Sequence, residues 1–240
     1  MKTNQQTRRG FTLVELLVVI VIIASLAGLT APMVIRQRKK ADQTEATSNA
    51  RQVGLALFEF ENEFGSFPGT STLTELNTAN GPYAAAVIKG AAGTNSNGYF
   101  KQIMQAGMSQ SEAMFYVKTP LSQKPDGDIS TDGEALKAGE VGFGYITNGA
   151  SVGMNASGNP ARPIIATPLN AGGTAFNAEP FDRNAVILRI DNSASSIKIV
   201  PPAGSTEGPA FVGGQNMMVA TNPIWGSSTT PTMNPPTPKP

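Results

Sequence analysis

The chain has 240 residues, with 18 basic and 17 acidic side chains, no histidine and no cysteine. Those absences exclude disulfide staples and thiol chemistry, and remove the commonest general base and zinc ligand. A net charge of +1 leaves no electrostatic footprint for nucleic acid, and no nucleic-acid partner is expected.

The chain opens with a polar, basic stretch that ends in Arg8-Arg9-Gly10. An apolar run follows at once, from Phe11 to Ala31, with Glu15 inside it. As a helix this run spans about 31 Å, close to the roughly 30 Å hydrocarbon core of a bilayer. A carboxylate at that depth costs roughly 2.5–3.5 kcal/mol. A positive partner would offset that cost. Cleavage between Gly10 and Phe11 would create one, because the new amine on Phe11 stands one turn before Glu15 and on the same face. The amine of one subunit could then meet Glu15 of its neighbour. Two plainer readings stay beside this one. Ser25-Leu26-Ala27 suits an ordinary signal peptidase, and the run suits a simple signal anchor. Neither gives Glu15 a reason. Lys2, Arg8 and Arg9 precede the run and Arg36, Arg38, Lys39 and Lys40 follow it, so flanking charge alone does not decide topology.

The helix is predicted to continue to Phe64, about 80 Å in all. Ala46, Ala50, Val53, Leu57, Phe60 and Phe64 make a heptad-like stripe that faces a core. Gly65 and Pro68 form its stop. Gly28 and Pro32 mark either a segment able to bend or melt, or a static proline kink. Residues 65–140 read as an irregular connector. Thr72 with Glu75, and Ser109 with Glu112, fit capping boxes before short helices, and Gly98 to Ala106 reads as another helix stopped by Gly107.

From 141 the period changes to two. Residues 141–147, 164–167, 185–191 and 196–200 read as four short strands, the last two a hairpin through residues 192–195. Gly142 and Gly144 share one face of the first strand, which would let the long helix approach closely. One long helix followed by short antiparallel strands is an α+β layout. Residues 201–240 hold nine prolines. Phe211-Val212 and Ile224-Trp225 could pin this segment to the sheet, and from Gly226 onward it is expected to be extended or disordered.

Asp126, Asp128, Asp132 and Glu134 cluster in a turn-rich loop, a donor set that suits calcium. The spacing fails the EF-hand pattern at Thr131, and a solvated acidic loop is the plainer reading. With no histidine to activate a serine and no phosphate loop, nothing points to an enzyme and no other cofactor is expected.

Arg9-Gly10-Phe11-Thr12-Leu13-Val14-Glu15-Leu16-Leu17-Val18-Val19-Ile20 resembles the class III signal of the type IV pilin superfamily, which includes pilus subunits and type II secretion pseudopilins. The fragment from Phe58 to Pro68 is similar to the helix end of pseudopilin-like proteins. The resemblance implies cleavage after Gly10 by a prepilin peptidase, N-methylation of Phe11, and docking into a filament guided by Glu15. It implies a pilin-like fold in six parts: leader 1–10, membrane-spanning or filament-core helix 11–31, amphipathic continuation 32–64, connector 65–140, sheet 141–200 and a proline- and glycine-rich segment 201–240. The implied partners are other pilin-like subunits in a homo- or hetero-polymer, the peptidase, and an inner-membrane platform with its motor. The implied location is the inner membrane, crossed once, with the N-terminus cytoplasmic and the domain periplasmic. Major pseudopilins carry a calcium site in a late loop; here that region offers only Glu207, with Asp182 and Asp191 flanking a strand. The alternatives are a pilus subunit for adhesion, motility or DNA uptake, and a membrane-anchored periplasmic binding domain.

Overall fold

The computed structural model describes residues 11–78, 81–93, 95–173, 175–227 and 229–240. The chain divides into two compact units after Lys39. In the first, helix α1 (Leu13–Phe64) begins with apolar side chains exposed on every face. Leu13 is 87% exposed and Leu29 77%, where a soluble core helix would be covered. An 18-residue window of α1 reaches a mean hydropathy of 2.6. A helix apolar all round belongs in lipid or among other apolar helices. Its few hydroxyls are satisfied internally: Ser25 donates to the Val21 carbonyl and Thr30 to that of Leu26. Residues 28–32 are helical throughout, although Pro32 has no N–H to give to the carbonyl one turn back.

The second unit runs from Lys40 to Pro240. There the stripe of α1 does what its spacing requires. Ala46, Ala50, Val53, Leu57 and Phe60 are buried in the core, each large one worth about 1.5–3 kcal/mol of burial. Phe64 is half-buried and stacks on Phe60, with ring centroids 4.4 Å apart. Gly65, at φ +72, ends the helix by taking a left-handed conformation that favours glycine.

The connector holds helices α2 (Thr70–Leu76) and α3 (Ser96–Gln105). Neither expected capping box forms. Thr72 is the third residue of α2, not its cap; its hydroxyl accepts the Gly69 N–H and donates to Gln102. Ser109 bonds within its own loop, while the Glu112 carboxylate turns inward to accept the Leu136 N–H. A single 3-10 turn, Ala113–Phe115, stands where a helix was expected. α3 begins two residues earlier than expected, because Asn95 caps it by accepting the Gly98 N–H at 3.2 Å. Phe100 stacks on Phe115, and Tyr99 packs at a tilt against Tyr145 of the sheet, ring centroids 4.9 Å apart.

The main sheet is antiparallel, with strand order β5-β4-β2-β1-β9. β1 is Gly144–Asn148, β2 Pro163–Thr167, β4 Asn184–Arg189, β5 Ala194–Lys198 and β9 Pro231–Asn234. The four expected strands are present, and β4–β5 is the expected hairpin. The fifth was not expected. β9 comes from the stretch read as extended or disordered, and is ordered because its backbone pairs with β1 and Asn234 is buried. Pro231 is tolerated as the first residue of an edge strand. Gly142, just before β1, and Gly144, its first residue, serve another purpose than expected. A Cβ on Gly142 would strike Val117, and one on Gly144 would strike Leu169 and Met233, so they admit loop and β9 residues.

Two small ribbons complete the fold. β3 (Phe176–Asn177) pairs with β6 (Glu207–Gly208), and β7 (Phe211–Val212) with β8 (Gln215–Asn216). The second ribbon turns on Gly213 and Gly214, both at positive φ. Trp225 is fully buried beside it, donating to the Met217 carbonyl at 2.7 Å.

Candidate functional site

Gly10 lies outside the described residues. Phe11 is 80% exposed. Thr12 caps α1, a role that the pattern Thr-x-x-Glu signals, although the charge of Glu15 draws attention away from it. Its backbone N–H and hydroxyl both donate to one oxygen of Glu15, at 2.9 and 2.8 Å, and its hydroxyl in turn accepts the Glu15 N–H at 3.2 Å. The carboxylate therefore has a local reason to sit in the first helical turn, where the helix dipole also favours it. These bonds are to neutral donors, and no salt bridge among the described residues involves Glu15. Among the described residues the charge itself stays uncompensated.

Gly28 and Pro32 stand in an unbroken helix, one turn apart. A Cβ on Gly28 would meet none of the described residues, so no contact among them requires a glycine there.

The proposed calcium donors do not converge. Asp132 accepts the Lys89 backbone N–H and faces the Lys101 ammonium at 3.4 Å. Asp128 accepts the Ser130 N–H, closing a local turn. Asp126 accepts the Asp128 N–H and pairs with Lys137 at 2.6 Å; that ammonium and hydrogen bond hold its carboxyl below the usual range. Glu134 also pairs with Lys137. Each carboxylate thus serves a turn or a lysine. The carboxylates that do approach one another are Glu112, Asp126 and Glu140, within 4.8 Å. Glu112 and Glu140 are buried. Both carry structural bonds: Glu112 accepts the Leu136 and Gly127 N–H groups, and Glu140 that of Lys137. Of the four expected donors, Asp126, Asp128, Asp132 and Glu134, only Asp126 belongs to this group.

The profile of the prokaryotic N-terminal methylation motif matches residues 6–31. The type II secretion system core protein G of Aeromonas hydrophila is 34% identical over 102 residues, 42% of this chain and 68% of that protein. The core protein G of Escherichia coli K12 is 29% identical over 140 residues, 55% of this chain and 92% of that protein. The fimbrial protein EcpC of Eikenella corrodens is 34% identical over 92 residues, 38% of this chain; the match spans only 60% of that protein's length. No solved structure matches the chain. With its methylation motif, its exposed apolar helix and its antiparallel sheet, the chain belongs to the type IV pilin-like pseudopilins, the family of the type II secretion system core protein G.

Proposed function

We propose that the chain polymerises through the first half of α1 into a type IV-like filament of a type II secretion system. Cleavage after Gly10 by a prepilin peptidase frees the Phe11 amine, which is then N-methylated. In the membrane the mature subunit has its N-terminus on the cytoplasmic side and residues 40–240 on the periplasmic side. An inner-membrane platform and motor lift it into the filament, where apolar helices bundle in the interior. Bending at Gly28 and Pro32 eases that passage.

The observation that carries this reading is Glu15, hydrogen-bonded to Thr12 but with no counter-charge among the described residues, in a helix whose apolar surface is uncovered. A neighbour's Phe11 amine supplies the missing charge, so assembly alone compensates both groups. Mass spectrometry of the mature N-terminal peptide is expected to give N-methylated phenylalanine. Glu15→Ala is expected to be cleaved normally and to enter few filaments. Abundant normal filaments from that variant would sink the pairing.

The likeness to a fimbrial protein keeps a second reading in view, a surface pilus subunit. Loss of the gene then removes visible surface filaments, whereas the secretion reading predicts exoproteins retained in the periplasm.

A further inference from the structure

Residues 229–239 cross the second unit as an extended strap. Strand β9 lies along β1, with Tyr145 opposite Asn234 and Asn148 opposite Pro231. On the near side, the Gly149 N–H donates to the Thr230 carbonyl and the Thr230 N–H to Asn148 Oδ1. Farther on, the Ser96 N–H at the start of α3 donates to the Pro235 carbonyl at 2.9 Å. The Thr237 N–H donates to Asn97 Oδ1, and the Thr237 carbonyl accepts the Gly139 N–H at 2.7 Å. The Lys239 N–H donates to the Leu121 carbonyl.

The receiving surface is cut to the strap. A Cβ on Gly139 would lie 2.6 Å from Lys239 Cβ, one on Gly144 2.8 Å from Met233 Sδ, and one on Gly173 2.6 Å from Pro235 Cγ. Two strap side chains are buried, Thr229 and Asn234, and the second is read by polar partners. Asn234 is 3% exposed and donates to the Tyr145 carbonyl and Thr147 Oγ1 at 3.1 and 3.0 Å. Pro231, Thr232, Met233, Pro235, Pro236 and Thr237 are only half-buried. Backbone pairing plus one buried amide is how a sheet edge accepts an added extended peptide. The chain just before the strap is anchored separately: Trp225 is buried, and Arg162 donates to the Ile224 and Trp225 carbonyls. Gly226, at φ +69, and exposed Ser227 follow the anchor, and a backbone rotation at Gly226 would move the strap while leaving Trp225 in place.

We propose that this groove is a strand-accepting peptide site, closed here in cis, and that it takes the same proline-rich strap from a second copy of the chain. The contacts are identical in cis and in trans, so exchange changes only connectivity and association entropy. A filament would favour it by raising local concentration. That last point rests on the filament reading; the groove does not.

The test uses the full chain in detergent micelles, in a Glu15→Ala background so that polymerisation plays no part. A protease site is inserted after Ser227, and the folded protein is cut and given a fluorescent peptide of residues 229–240. The expected result is saturable uptake of one peptide per chain, with uptake at least about tenfold weaker for the peptide carrying Asn234→Ala. The uncut chain is expected to take up almost none. Unfolding on cutting, refusal of the peptide by a cut chain that still melts cooperatively, or equal uptake of the Asn234→Ala peptide overturns the site. The cut chain, mixed with an uncut chain lengthened by ten Gly-Ser residues after Ser227, is expected to form a one-to-one pair. Peptide uptake without that pair overturns the second-copy step.

Discussion

The side-chain oxygen of Asn192, in the turn between β4 and β5, faces the backbone of Gly54 on α1. It is buried, with no hydrogen-bond partner among the described residues. A Cβ on Gly54 would run into that oxygen and stand 2.9 Å from Leu188 Cδ2. A glycine inside a helix costs about 1 kcal/mol relative to alanine. Here it lets the hairpin close onto the helix.

Gly54→Ala is therefore expected to destabilise the protein by about 1–3 kcal/mol, despite its better helix propensity. Asn192 sits at φ +60, where glycine is favoured. Asn192→Gly is expected to be neutral or stabilising, because it removes an unsatisfied buried acceptor. The double variant should recover part of the Gly54→Ala loss, leaving the Leu188 contact. Urea unfolding of the four proteins measures this coupling; strictly additive effects would show that the two residues do not constrain each other.

Trp225 holds the chain ahead of the strap. Its ring is fully buried and its indole N–H is spent on the Met217 carbonyl. Trp225→Ala should cost about 3–5 kcal/mol. Arg162→Met keeps much of the packing but leaves two carbonyls without their charged donor, at about 1.5–3 kcal/mol. Thermal melts of both check the ranking; an Arg162 variant that melts earlier than the Trp225 variant would reverse it.

Much of this architecture can be read from periodicity. The stripe from Ala46 to Phe60 and the alternation in β4 and β5 each depend on local spacing alone. β9 cannot be read that way. Pro231-Thr232-Met233-Asn234 has little strand character of its own, and its conformation comes from the edge of β1, a tertiary partner. The acidic loop misleads for a related reason. Asp126, Asp128 and Asp132 are close in sequence, yet Asp132 is claimed by Lys101 from α3, and Asp126 by Lys137 later in the same loop. In the proposed assembly segment Glu15 stands out because a charge in an apolar run is costly. Thr12 was equally legible three residues earlier, as the other half of a capping box.

Gly10→Ala tests the proposed processing apart from assembly. A side chain at the residue before the cut is expected to slow cleavage and leave the precursor as the main species on immunoblots. Glu15→Ala should show no such accumulation. Trimming of the Gly10 variant at the usual rate would count against a prepilin peptidase.

Glu112 offers a pH signature. Burial raises its pKa, and the carboxylates of Glu140 and Asp126 add to the rise, against the Leu136 and Gly127 N–H groups that lower it. The folded state thus holds this proton more tightly than the unfolded chain does. Between the ordinary glutamate value and the raised one, the native protein binds more protons, so stability from this group falls as pH rises through that window. Asp126 has the opposite sign: Lys137 lowers its pKa, and its contribution is lost as pH falls. Glu112→Gln removes the first effect and leaves the second. It also sets an NH2 group against one of two backbone N–H donors, a loss of about 1–3 kcal/mol at neutral pH. Because ionised Glu112 weakens the native protein above the window, that deficit should widen as the pH is lowered and Glu112 becomes protonated. Denaturant titrations from pH 4 to pH 7 measure it; a deficit that shrinks toward acid would mean that the Glu112 pKa is not raised in the folded protein.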